Sequence, residues 1–128
     1  MKVLLDTCTF LWAIEGGGDL SDAARNALTD PGNDVFLSAV SAWEIAVKHA
    51  LGRLPLPAPP DRYVPAQRNA RGIAELPLDE DAVLQLVRLP SLHRDPFDRM
   101  LVCQALANAL TLVTPDPEIA RYPVRTLW

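Results

Sequence analysis

Residues 96–116, PFDRMLVCQALANALTLVTPD, decide the fold. Positions 96–109 read as a helix: Pro96 stands where a first-turn proline is tolerated, and Met100, Leu101, Cys103, Leu106 and Ala107 recur at helical spacing. Residues 110–113, LTLV, then read as a strand that stops at Thr114-Pro115-Asp116. A helix handed straight into a short apolar strand, with an acid just past that strand's end, suits a crossover between parallel strands.

The same alternation runs through the rest of the chain. KVLL (2–5) is a short apolar run rich in β-formers that ends at Asp6. Thr7 is expected to cap a helix through about Glu15, which the glycines at 16–18 stop. Ser21 caps a second helix, SDAARNALTD, before the break at Pro31-Gly32. DVFLS (34–38) is a second strand, and 40–51 a helix closed by Gly52. Prolines 55, 57, 59 and 60 make a stiff connection to a helix around 61–71, with Pro65 near its first turn. Ile73–Leu76 reads as a third strand. Asp79 caps a helix through Arg88 that Pro90 ends, and a turn near 117–121 leads to a last strand around Val124–Leu127. Strands alternating with helices predict an α/β fold with a parallel sheet covered on both faces, built as one domain over 1–128.

Bulk properties narrow the function. A chain of 128 residues, 49% hydrophobic and 22% charged, buries a core without staples. No apolar run reaches the roughly 18 residues of a membrane span, and Asp6 interrupts the apolar start, against a signal peptide. Two cysteines, Cys8 and Cys103, make no disulfide framework and read as buried thiols. The cytoplasm is the default location. The net charge of −4 runs against the usual basic nucleic-acid binder, but between Lys48 and Arg71 five basic residues face one acid, Asp61. Ten of the twelve basic residues are Arg, the better fork for phosphate.

Ligands of open parallel sheets sit beyond the carboxyl ends of the strands. Asp6 and Asp116 fall directly after strands, and Glu44 lies early in the helix that follows the second strand. Asp98 lies in the first turn of a helix that enters a strand, so its place at that edge requires the helix N-terminus to fold back there. Each acid also has a plainer role: Asp6 as strand end or cap, Glu44 as a helix-dipole charge, Asp95-Pro96-Phe97-Asp98 as a cap box, Asp116 as a turn residue. Together they form a candidate hard-oxygen set for Mg²⁺ or Mn²⁺, the ions that activate water against phosphodiesters. His49 and His93 lack zinc spacing, no phosphate-binding glycine loop is present, and Cys8 and Ser41 have no His–acid constellation. Of the three tryptophans, Trp43 beside Glu44 is the one to follow toward a functional role.

Three stretches carry a family resemblance: LLDTCTFLW at the start, VFLSAVSAWEIAVKHALGRL in the middle and HRDPFDRMLVCQALANALTLVTPD near the end. The chain resembles the PIN-domain ribonucleases, and specifically the VapC-like toxins of bacterial type II toxin–antitoxin pairs. The resemblance implies a three-layer α/β/α fold with a mostly parallel sheet of about five strands, and Mg²⁺- or Mn²⁺-dependent endonucleolytic cleavage of RNA. It places the metal-binding and catalytic acids at Asp6, Glu44, Asp98 and Asp116, with Asp95 competing for the place of Asp98. Thr114 is implied to support Asp116, and Arg99 to pair with site acids or a scissile phosphate. A homodimer and a cognate antitoxin partner are implied too. Pro115, inside the T-x-D element, is a departure that tilts Asp116 away from direct metal contact. Two alternatives have other signatures. A phosphatase of the haloacid-dehalogenase type wants a second Asp where Cys8 stands, and a receiver-like module wants a late Lys where none follows Lys48. A PIN-like fold that only binds is a further alternative.

Overall fold

The computed structural model describes residues Met1–Trp128. Five strands, β1 (Lys2–Leu5), β2 (Asp34–Ser38), β3 (Ala74–Leu76), β4 (Thr111–Val113) and β5 (Thr126–Leu127), form one sheet. Their order is β3-β2-β1-β4-β5, and every pairing is parallel. Six helices connect them: α1 (Thr7–Ile14), α2 (Asp22–Thr29), α3 (Ala39–Ala50), α4 (Pro60–Ala70), α5 (Glu80–Leu84) and α6 (Pro96–Asn108). The architecture is a three-layer α/β/α sandwich.

Alternation along β1 builds both interiors. Leu4 points into one apolar layer with Leu112, Leu101, Val102 and Ile119, while Val3 and Leu5 point into the other with Phe10, Val35, Leu37, Ile45 and Val113. Leu4, Leu5, Leu101 and Leu112 are wholly buried, and each such leucine stabilises the fold by about 1.5–3 kcal/mol. A buried Gln104 ties α6 across to the sheet: it pairs with the Ser38 hydroxyl and donates to the Pro77 carbonyl at 3.2 Å.

The expected elements are all present, with local corrections. Asp6, not Thr7, caps α1: its backbone is extended and its carboxylate accepts the Thr9 N–H at 2.8 Å. The helix expected from Asp79 to Arg88 is α5 followed by a 3₁₀ turn at Gln85–Val87. Helix α6 stops at Asn108 because Ala109 turns left-handed (φ 52°), freeing the chain to enter β4. The buried part of α6 is the unbroken run Leu101–Ala105, since α5 covers one side and the sheet another, and Leu106 is left partly exposed. Pro65 lies inside α4 rather than near its start.

Candidate active site

The carboxyl edge of the sheet is where the acids gather, and chain direction explains how. A helix joining two parallel strands runs back against them, so it begins at the carboxyl edge whether it leaves a strand or feeds one. Asp98 meets its requirement by that rule: α6 feeds β4, so its first turn starts beside the ends of β1 and β4.

Asp6 ends β1 and is 3% exposed. Besides capping α1 through Oδ1, it accepts the Thr114 hydroxyl on Oδ2 at 2.5 Å, and the Cys8 thiol stands 3.4 Å from both oxygens. Glu44 is 5% exposed. Its Oε1 accepts the Thr7 hydroxyl at 2.7 Å and its Oε2 pairs with Lys48 one turn on. Asp95 caps α6, accepting the N–H groups of Phe97 at 2.9 Å and Asp98 at 3.1 Å through one oxygen. Asp116 follows β4: its N–H donates to the Thr114 hydroxyl at 3.1 Å, and its carboxylate accepts the Glu118 N–H at 2.9 Å. Thr114 thus links Asp116 to Asp6, and the Asp116 carboxylate serves the turn after Pro115.

Asp98 reports the electrostatics of the group. Its carboxyl is pushed up to about 7, first by burial and then by the negative charges of Asp95, Glu44, Asp116 and Asp6. Every other acid of the candidate set is felt at this one side chain. Lys48 is the cation in the group: its ammonium is held above its ordinary value by Glu44 foremost, and by Asp95 and Asp98. The Cys8 thiol is pushed up to about 12 by burial and by Asp6, so it stays protonated and is no nucleophile.

No three His, Cys, Asp or Glu side chains are arranged, as they stand, to hold a metal ion. The oxygens of Asp6 and Glu44 and one oxygen of Asp116 are turned onto Thr9, Thr114, Thr7, Lys48 and Glu118. The donor set nevertheless fits a hard divalent cation. It consists of carboxylates whose charges together raise the proton affinity of Asp98, and a cation relieves that repulsion. The hollows of the molecule lie elsewhere, for instance between α3 and α4 among Ala42, Pro60, Val64 and Arg68.

Arg99 makes no ion pair with the acids, the first of its two expected partners: its guanidinium donates to the Pro90 carbonyl at 2.9 Å and the Tyr122 hydroxyl at 3.0 Å. In the basic run 48–71, Lys48 meets the acids, while Arg68 and Arg71 bond to acceptors in and just after α4. Cys103 is buried as expected, whereas Cys8 is half-buried at the site. Four further residues join the site without having been expected in it. In the sequence Thr7 reads as a cap, Lys48 as part of a basic run, and His93 only as a histidine without zinc spacing. His93 Nε2 lies 3.4 Å from Asp98 and its Nδ1 2.7 Å from the fourth, Tyr122. The four-residue step from Glu44 to Lys48 and the H-x-D-P-F-D order were the available signals.

Comparison with known proteins bears on the fold and the family. The family profile described as PIN domain matches residues 3–124. Ribonuclease VapC16 of Mycobacterium tuberculosis is 41% identical over 61 residues, which are 48% of this chain and 43% of that protein, so the match spans under half of the curated relative. VapBC2 of Rickettsia felis, solved bound to a fragment of its promoter DNA, superposes with a TM-score of 0.73 at 16% identity, covering 99% of this chain and 98% of that one. FitAcB of Neisseria gonorrhoeae superposes at 0.65 with 20% identity, covering 100% and 97%. At such identities the superpositions speak for the fold alone. With the profile running from β1 to the segment before β5, the chain belongs to the PIN domain family.

Proposed function

We propose that this chain is a metal-dependent endoribonuclease, the toxin of a type II toxin–antitoxin pair, working as a single domain over 1–128. The observation that carries the reading is the gathering of Asp6, Glu44, Asp95, Asp98 and Asp116 at the carboxyl edge of the sheet, where Thr114 joins Asp6 to Asp116, in a chain of the PIN domain family. Asp6, Glu44 and Asp98 would hold Mg²⁺ or Mn²⁺, with Asp116 next to them and Asp95 as the alternative to Asp98. When bound, the ion supplies an activated water and neutralises charge on the phosphodiester. The chain's own part is to aim the carboxylates: Thr114 orients Asp6, Thr7 orients Glu44, and Asp95, by capping α6, holds the first turn that carries Asp98.

Beside the acids Trp43, 55% exposed, meets Phe97 edge-on with ring centroids 4.7 Å apart, an aromatic ledge of the kind on which bases stack. The phosphatase alternative loses ground because a protonated thiol stands where its second acid is needed. The relatives named VapC and VapBC support an antitoxin partner, and a homodimer belongs to the same reading. No helix is long and apolar enough to cross a membrane, in keeping with a cytoplasmic toxin acting on RNA.

The test is direct. Purified chain should cut RNA when Mg²⁺ or Mn²⁺ is supplied and stop in excess chelator. Asp6→Asn should abolish cutting with the circular dichroism spectrum unchanged. Undiminished cleavage by Asp6→Asn, or by wild type in chelator, would refute the proposal, and binding of RNA without cleavage would favour a PIN-like module that only binds.

A further inference from the structure

Behind the acids, His93, Arg99 and Tyr122 form a hydrogen-bonded chain that ends on Asp98. Tyr122, 3% exposed, is its hub. The phenol oxygen accepts Arg99 Nη1–H at 3.0 Å and the His93 backbone N–H at 3.2 Å. Those two donors occupy its acceptor positions. The phenol proton then has one acceptor in reach, His93 Nδ1 at 2.7 Å. A neutral imidazole that accepts at Nδ1 carries its proton on Nε2. That nitrogen faces Asp98 Oδ2 at 3.4 Å. The Pro90 carbonyl holds the Arg99 guanidinium at 2.9 Å, so the hub is anchored from outside the site.

We propose that His93 is a positioning residue for Asp98: Tyr122 and Arg99 fix its Nε2–H tautomer, and that N–H takes Oδ2, leaving Oδ1 for the divalent cation. The inference rests on the acid edge being a cation site. It gives Tyr122, in the C-terminal turn, a role at the opposite end of the chain from Asp6. Orienting partners of this kind change metal affinity by about 10- to 100-fold when removed.

Two measurements on the full chain test it, with Mn²⁺ as the probe. Nitrogen-15 spectra of the two histidines, taken where both imidazoles are neutral, should show His93 protonated on Nε2, and Tyr122→Phe should lose that preference. Calorimetric Mn²⁺ affinity should fall by about tenfold in Tyr122→Phe and in His93→Ala. His93→Gln, whose amide nitrogen lies near the place of Nε2, should recover most of it, and His93→Asn should not. An Nδ1–H tautomer in the wild type overturns the positioning role. So does wild-type affinity in Tyr122→Phe and His93→Ala, or an equal loss in the Gln and Ala variants, provided Asp98→Asn weakens binding; each leaves the cation site standing. Unchanged affinity in Asp98→Asn overturns the cation site itself. If His93→Ala fails to fold, Tyr122→Phe and the wild-type tautomer still decide.

Discussion

The apolar layers and the innermost acids of the rim above them, Asp6 and Glu44, are buried alike and behave in opposite ways. Leu4 and Leu112 are fully hidden, and so, nearly, are Asp6 and Glu44 at 3% and 5% exposure. Hiding a leucine stabilises the folded chain. Hiding a carboxylate costs free energy unless donors or a cation meet it. The rim meets that cost with hydroxyls from Thr7 and Thr114, one ammonium from Lys48 and the α1 cap, and still leaves Asp98 with a raised proton affinity. The layers beneath hold the rim in place, and the rim keeps an unmet demand for positive charge. Stability and chemistry are thus assigned to adjacent strata of the same strands.

Substitutions on either side of that boundary should separate the two properties. The largest effect belongs to Glu44→Gln, which keeps an acceptor for Thr7 but removes the charge. We expect kcat/KM for RNA cleavage to drop by on the order of 10²–10³ while the melting temperature holds; a matching loss of Tm would erase the distinction. Leu112→Ala does the reverse. It should cost about 3 kcal/mol, roughly a 10 °C fall in Tm, with activity per folded molecule intact.

Asp98→Asn sharpens the contrast, because at this residue the rim opposes the fold. In the metal-free chain Asp98 keeps a proton up to about pH 7, whereas unfolded it loses it near 3.8. Between those values the native state binds the extra proton, so its contribution to stability is full below the lower value and falls as pH rises through the upper one. Denaturant unfolding in chelator should therefore find Asp98→Asn more stable than wild type by up to about 4 kcal/mol above pH 7, with the gap closing toward pH 4. A gap independent of pH would contradict an origin in burial and carboxylate repulsion. The smallest effect lies away from both strata. Ser21 caps α2 by accepting the Ala24 N–H at 3.0 Å, and Ser21→Ala should lose about 1 kcal/mol without touching cleavage.

Much of the architecture was legible because its signals are local. The apolar run of β1, the cap at Ser21, the glycines after α1 and the helix-to-strand passage at Asn108–Thr111 each depend on a few neighbouring residues. Errors came where a residue's partner is distant. Thr7 looks like a cap until Glu44, 37 positions on, claims its hydroxyl. Arg99 looks like a site cation until Tyr122 and Pro90 take it. Thr114 does bond to Asp116 as expected, but its hydroxyl also reaches Asp6 across 108 positions.

Alone, then, the order of residues established an alternating α/β chain with acids placed after strands and at helix starts. That follows from hydrophobic period and capping chemistry, both written within a few residues. The fold alone determined which oxygens face one another, which are occupied by hydroxyls or Lys48, and that His93 stands behind Asp98. Such matters depend on distances between segments far apart in the chain, and only packing the strands in the order β3-β2-β1-β4-β5 sets those distances.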